Sequence, residues 1–296
     1  MKEIGRLVTA MITPFDDQGM VDYGQAKKLA LALLNSGSDA ILVSGTTGES
    51  PTLSHEEKLR LFAEVKAAAG DKGAIIAGTG NYNTAESREL TKEAERIGVD
   101  ACLLVVPYYN KPTQEGLYQH FKTIAEVTSL PCIIYNVPSR TITNLSADTL
   151  IRLSQVDNII GVKEASGNLD QITKIIGGAK EGFRVWSGND SDTFYILALG
   201  GYGIISVISH LVGNQIKEMI DSYVSGKVQE AARIHHHLLP LVNACFIVSN
   251  PIPIKYCVNQ VGFKAGKLRL PLVEPDEKTA AAIKDTLNNY KIDLPI

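Results

Sequence analysis

Short apolar runs rich in Val and Ile alternate with longer segments of helical period, about every 20 to 35 residues, and this alternation constrains the fold more than any other feature of the chain. The first run, 7–12, stops at Thr13-Pro14. Asp22 then caps a helix whose Ala26, Leu29, Ala30, Leu33 and Leu34 share one face, and Gly37 ends it. The second run is 40–43, with a loop over 44–50, and Ser54 with Glu57 forms a capping box for a helix reaching about Ala69. Six more runs follow at 74–77, 101–106, 132–135, 159–163, 183–186 and 203–207, with helical segments at 84–97 and from about Gln114. After Val207 the pattern is helical only: 214–224, 228–248, a segment past Pro253, and 277–289. The runs are apolar on both faces, as parallel strands covered by helices should be. About eight such units with no strand run after them predict an α/β fold, a (β/α)8 TIM barrel with a C-terminal helical appendage, in preference to an open doubly wound sheet. The division expected is a catalytic barrel over 1–224 and a helical region over 225–296.

Composition narrows the class. Of 296 residues, 45% are hydrophobic and 21% charged, enough for a large core and against disorder. Net charge is −3 with acids and bases interspersed, and no basic stripe could track a phosphate backbone, so nucleic acid is excluded as the expected partner. No apolar run approaches the roughly 18 residues needed to span a bilayer. The opening Met1-Lys2-Glu3-Ile4-Gly5-Arg6-Leu7 lacks the apolar core of a signal peptide, which points to the cytoplasm. Cys102, Cys132, Cys245 and Cys257 are widely spaced without a Cys-x-x-Cys pair and read as reduced and structural.

In a barrel of this kind the working side chains stand at the C-terminal ends of strands. The polar residues falling there are Thr13, Thr46, Thr47, Thr79, Tyr108, Tyr109, Tyr135, Arg140, Lys163 and Ser206, with Gly188 among them. They contain no cluster of His, Asp and Glu, which argues against a metal-assisted reaction. Lys163 ends the apolar run 159–163, where an ammonium is penalised unless it snorkels to solvent, pairs with a carboxylate, or is held with a lowered pKa for chemistry. Tyr135 ends the neighbouring run, so the two belong to adjacent strands about 4.8 Å apart. A desolvated lysine can attack a ketone to form a Schiff base, and a tyrosine hydroxyl beside it can move the protons that imine formation needs. The alternative is a solvated lysine beside an ordinary core tyrosine.

Gly45-Thr46-Thr47-Gly48-Glu49 follows the second run and precedes a helix, so its backbone N–H groups can face a small carboxylate; without a closing Gly-Lys-[ST] it is no Walker loop. Taken alone it reads as merely a tight turn. His235-His236-His237 cannot converge on one ion, because consecutive helical residues point about 100° apart. Gly200-Gly201-Tyr202-Gly203 enters a strand, where a dinucleotide-binding loop would leave one.

Six motifs, taken in order, resemble one family. They are Gly45-Thr46-Thr47-Gly48-Glu49-Ser50, Tyr108-Tyr109-Asn110-Lys111-Pro112, Tyr135-Asn136-Val137-Pro138-Ser139-Arg140-Thr141, Val162-Lys163-Glu164-Ala165-Ser166, Gly188-Asn189-Asp190 and Asn250-Pro251-Ile252-Pro253-Ile254-Lys255. In order and spacing they are similar to the dihydrodipicolinate synthase family, within the class I pyruvate-dependent aldolases, and the match spans essentially the whole chain. The resemblance implies a lyase of the diaminopimelate route to lysine that condenses pyruvate with aspartate 4-semialdehyde and needs no cofactor beyond a covalent Schiff base with pyruvate. It implies that Lys163 carries that Schiff base. Tyr135 would pass protons through Thr46 to Tyr109, the last reaching in from a neighbouring subunit. Thr47 and the loop N–H groups would hold the pyruvate carboxylate, with Gly188 and Ile205 lining the pocket. Arg140 would meet the carboxylate of the incoming aldehyde. A homotetramer built as a dimer of dimers is the implied assembly.

The related reading is an N-acetylneuraminate or keto-deoxy sugar acid lyase, where a residue other than arginine is expected at position 140. A non-enzymatic small-acid binder on the same barrel is the reading from another class. The resemblance also maps a feedback site for lysine onto Ser50, Pro51, His55, Lys58, Tyr82, Glu86 and Tyr108. Lys58 stands where histidine is usual and Tyr82 where asparagine is usual, and a second cation beside a bound lysine ammonium would repel it, so weak or absent inhibition is expected.

Overall fold

The computed structural model describes residues 2–295. Its strands are β1 (Leu7–Ala10), β2 (Ala40–Val43), β3 (Ala74–Gly78), β4 (Ala101–Val105), β5 (Cys132–Asn136), β6 (Ile159–Glu164), β7 (Arg184–Ser187) and β8 (Gly203–Ser206). They run in sequence order and close into a barrel, with helices between them, as the repeat predicts. Almost every strand residue is buried, because one pleat face lines the barrel and the other packs under helices.

The chain divides into two compact units, Ile76–Ile205 with the first residues of the chain, and Ile4–Ile75 with the chain from Ser206 onward. This cut falls elsewhere than the boundary read at 224/225; Met1 and Ile296, the outer bounds of that division, lie outside the described residues.

In the unit around Ile4–Ile75, Asp22 caps the helix Tyr23–Asn35 by accepting the Gln25 N–H at 2.9 Å. Ser54 and Glu57 form the expected capping box of His55–Ala69: the Ser54 hydroxyl accepts the Glu57 N–H at 3.2 Å and the Glu57 carboxylate accepts the Ser54 N–H at 2.9 Å. The helices after β8 are Ser209–Val224, Val228–Cys245, Ile252–Gln260 and Glu277–Leu287. The first begins five residues before the expected 214, with non-helical backbone at Val212. The Ser206 hydroxyl accepts the Ser209 N–H at 3.0 Å, so Ser206 and Ser209 mark the helix start, and the non-helical Val212 beside Gly213 interrupts the pattern before 214.

In the unit Ile76–Ile205, Asn83 caps Thr84–Ile97 and Thr113 caps Gln114–Ala125. Four shorter helices, Pro138–Thr141, Ala147–Leu153, Leu169–Gly178 and Thr193–Ala198, complete the later β/α units. Pro138–Thr141, Ala147–Leu153 and Thr193–Ala198 are too short to display a helical period in sequence, whereas Leu169–Gly178 carries a clear apolar face with Ile172 and Ile175 buried. None of the four cysteines forms a disulfide, and all are buried.

Candidate active site

Parallel pairing of β5 with β6 places Tyr135 directly opposite Lys163. A bulge decides this register. Cys132 pairs with Ile159 but Ile133 pairs with Gly161, so Ile160 is an extra residue, and every later partner on β6 is displaced by one. Without it Val162 would face Tyr135, and the lysine would point to the other side of the sheet. Gly161 permits the arrangement: a Cβ there would collide with the Arg184 carbonyl and the Trp186 ring on β7.

The Lys163 side chain is buried, at 4% exposure, as is Tyr135 at 6%, and the Lys163 Nζ lies 4.4 Å from the centre of the Tyr135 ring. The snorkelling reading therefore does not apply. Burial lowers the Lys163 pKa to about 8; the Asp190 carboxylate opposes the shift and the Arg140 guanidinium adds to it. Asp190 is itself buried, just after Gly188-Asn189 at the end of β7. The Gly188 N–H donates to the Glu164 carbonyl at 2.7 Å, and a Cβ at Gly188 would press on Ala165. Arg140 sits on the short helix Pro138–Thr141 with its side chain exposed to solvent, where it can meet an incoming anion. Ile205 is buried on β8.

Behind the lysine a polar network fixes the ends of β5 and β6. Asn136 pairs with Glu164 in the register, and its amide donates to both Glu164 carboxylate oxygens at 3.1 Å and to Asn144 at 2.9 Å. The Asn136 side-chain carbonyl accepts the Leu145 N–H at 3.0 Å, while Glu164 accepts the Ser166 N–H at 2.8 Å. Burial pushes the Glu164 carboxyl above its usual range, against these hydrogen bonds. The network anchors the far end of the segment that carries Arg140, and it ties that segment to the strand that carries Lys163.

The loop after β2 belongs to the other unit. Thr46 is half-buried, and its carbonyl accepts the Glu49 N–H at 3.1 Å, while the Gly45 carbonyl accepts the Ser50 N–H at 3.3 Å. Those two N–H groups serve the turn itself. Thr47 is buried, and its hydroxyl oxygen accepts the Asn250 amide at 3.0 Å. A Cβ at Gly48 would press on the Met11 carbonyl at 3.0 Å, so glycine is needed for that close approach.

Tyr109 is 91% exposed on a backbone with φ 74°, a left-handed conformation that bulky residues seldom adopt. Beside it Tyr108 is half-buried, edge-on to the exposed Tyr82 ring with centroids 5.0 Å apart, and Glu86 is exposed on the helix that follows. In the other unit Ser50 accepts the Ser44 hydroxyl at 3.2 Å, Pro51 and His55 are exposed, and Lys58 is half-buried on the helix His55–Ala69. In the triplet, His235 is buried while His236 and His237 face solvent.

Several residues given no role from sequence turn out to shape these groups. Asp190 sets the charge near Lys163, Glu164 and Asn136 brace it, and Glu49, Lys255 and Asn250 hold the loop after β2. All six stand inside the quoted motifs, but neither hydropathy nor spacing separates a bracing carboxylate from a surface one.

The model of the Dihydrodipicolinate synthetase family matches residues 3–290. A 4-hydroxy-tetrahydrodipicolinate synthase from Dehalococcoides mccartyi is 66% identical over 296 residues, covering 100% of both chains. Among solved structures, the dihydrodipicolinate synthase of Bacillus anthracis superposes with a TM-score of 0.96 at 43% identity, covering 98% of this chain and 100% of that one. The enzyme from Cyanidioschyzon merolae, solved with lysine bound, gives 0.95 at 44% identity over 96% of this chain and 97% of that one. With a family match over nearly its whole length and a lysine–tyrosine pair buried at the ends of β5 and β6, this chain belongs to the dihydrodipicolinate synthetase family.

Proposed function

We propose that this chain condenses pyruvate with L-aspartate 4-semialdehyde through a Schiff base on Lys163, giving 4-hydroxy-tetrahydrodipicolinate, the first committed step of the diaminopimelate route to lysine. The observation that carries the reading is the buried Lys163 amine, held at a pKa of about 8 against the Tyr135 ring. Family membership and the names of full-length relatives support the substrates.

The neutral Lys163 nitrogen attacks the pyruvate ketone, and the adduct loses water to give an imine. Protonated, that imine draws electrons from the adjacent methyl group, which loses a proton and becomes an enamine carbon. This carbon attacks the aldehyde of the second substrate, forming the new carbon–carbon bond. The substrate's own amino group then displaces Lys163 as the ring closes, returning the amine. Tyr135 moves protons at the imine-forming nitrogen, relayed through Thr46 and Tyr109. Thr47 holds the pyruvate carboxylate, Gly188 and Ile205 shape the pocket, and Arg140 takes the semialdehyde carboxylate as a bidentate partner. These loops all leave the C-terminal ends of strands, where barrel enzymes carry their sites.

Tyr109 is almost fully exposed on a left-handed backbone, which supports its acting in a second copy within a dimer of dimers. Four buried thiols, none in a disulfide, fit the reducing cytoplasm, where we place the enzyme. Among the described residues no helix is long and apolar enough to cross a membrane. Lysine inhibition should be weak, because Lys58 adds a cation to the feedback set; a lysine titration giving strong, saturable inhibition would refute this.

Borohydride added with pyruvate tests the central step. It should reduce the imine to a stable adduct that peptide mapping locates on Lys163, and the Lys163→Ala protein should be neither labelled nor active. A coupled assay should then show turnover with aspartate 4-semialdehyde and none with a panel of keto-sugar acids.

A further inference from the structure

Lys255 and Glu49 form an ion pair at 2.8 Å with side chains 1% and 0% exposed. Two charges in that setting are a poor way to stabilise a fold, because the desolvation penalty rivals their attraction and well-packed apolar residues often do as well or better. Burial pulls the Lys255 amine below its usual pKa, and the Glu49 carboxylate opposes that shift.

What the pair holds gives it a purpose. Glu49 follows Gly48 directly and has φ 56°, in the left-handed region that a glutamate seldom adopts. One carboxylate oxygen accepts Lys255 Nζ at 2.8 Å and the other accepts the Arg269 N–H at 2.9 Å, so both carboxylate oxygens are held. Lys255 Nζ also donates to the Thr13 carbonyl at 2.9 Å, and the Thr13 hydroxyl donates to the Gly48 carbonyl at 2.6 Å. Five residues before Lys255, the Asn250 amide donates to the Thr47 hydroxyl oxygen at 3.0 Å. Three successive residues of one turn are thus fixed by three separate side chains. Because the Thr47 oxygen accepts the Asn250 hydrogen, its own O–H points toward a different acceptor.

We propose that the buried Glu49–Lys255 pair is a positioning device for keto-acid recognition, locking the turn so that Thr47 presents its hydroxyl to the pyruvate carboxylate. The proposal rests on the reading above that Thr47 holds that carboxylate. Neither charged residue needs to touch substrate.

The test compares wild type with Lys255→Met, Glu49→Gln and the neutral double variant Glu49→Gln/Lys255→Met, measuring Tm, kcat, the KM for each substrate, and borohydride trapping. Each single variant leaves an uncompensated buried group and should lose Tm. The double variant should recover most of that Tm while its pyruvate KM stays at least about tenfold raised and its semialdehyde KM stays within about twofold of wild type, as displacement of a binding group predicts. A double variant with wild-type Tm and wild-type pyruvate KM overturns the proposal, as does an equal rise in both KM values. Should the double variant not fold, Glu49→Asp keeps the charge but shortens the reach. It should raise pyruvate KM selectively by about threefold or more, and an unchanged value overturns the proposal. Failure of borohydride to label wild-type Lys163 would instead sink the reading of the site, independently of these variants.

Discussion

Tyr135 and Lys163 are direct partners across β5 and β6, with the lysine nitrogen 4.4 Å from the centre of the tyrosine ring. The ring covers the amine on one side, and a single bulge at Ile160 sets the register that brings them together. Desolvation and the proposed proton transfer would therefore share one structural origin, because the residue that shields the nitrogen also carries the hydroxyl proposed to serve it.

Replacing Tyr135 by Phe keeps the ring and removes only the hydroxyl. Packing against Lys163 should survive, with Tm within a few degrees of wild type. Loss of general acid–base assistance should lower kcat by about 10²- to 10⁴-fold. Wild-type kcat in a correctly folded Tyr135→Phe protein would remove Tyr135 from the chemistry.

The pH dependence of imine formation follows from the lysine. A folded-state pKa lowered to about 8 leaves roughly a tenth of the amines neutral at pH 7, against roughly one in a few thousand for an ordinary lysine. Only the neutral form attacks, so the trapping rate should rise about tenfold per pH unit below 8 and level off above it. Asp190 stabilises the ammonium, so Asp190→Asn should move this limb to lower pH. A shift to higher pH, or none, would contradict the electrostatic account.

Arg140→Ala removes the guanidinium proposed for the semialdehyde carboxylate. Semialdehyde KM should rise by about 10- to 10³-fold, since loss of a charge-assisted bidentate contact costs a few kcal/mol, while pyruvate trapping on Lys163 persists. Because Arg140 also disfavours the ammonium, the trapping limb should move to higher pH. Indifference of the semialdehyde KM to this change would favour a sister aldolase.

Two buried histidines should make the fold acid-sensitive. His210 Nε2 accepts the Ile12 N–H at 3.1 Å and its Nδ1 donates to the Val207 carbonyl at 2.8 Å, which fixes a neutral ring. Burial lowers the pKa of His210 and of His120 to about 4. The unfolded chain takes up these protons near pH 6.5 and the folded one only near 4, so stability is full above about 6.5 and falls as pH drops through that window. Each contributes on the order of 3 kcal/mol when fully expressed. Denaturant melts at pH 7.5 and 5 check this, and His210→Gln should remove about half of the difference, His120 supplying the rest; equal stability of the wild type at both pH values would exclude it.

Much of this fold is legible in the amino-acid sequence. The runs at 40–43 and 84–97 coincide with β2 and with the helix Thr84–Ile97 to the residue, and the box of Ser54 and Glu57 formed as written. Those elements are specified locally, by hydrophobic period and by side chains that cap a helix within three residues. Lys163 and Tyr135 were legible as a pair because each ends an apolar run. The helices after β5 and β7 are too brief to show a period, whereas Leu169–Gly178 after β6 carries an apolar face, with Ile172 and Ile175 buried, that is visible in sequence.

The amino-acid sequence by itself determined the eightfold β/α repeat, the caps, and the family motifs, because these depend on neighbours a few residues apart. Only the tertiary structure decided that Ile160 bulges to turn Lys163 onto Tyr135, that Asp190 and Arg140 set the charge around that amine, and that Lys255 reaches Glu49 from 206 residues away. Burial, register and long-range pairing are properties of the packed chain, and no local window of residues contains them.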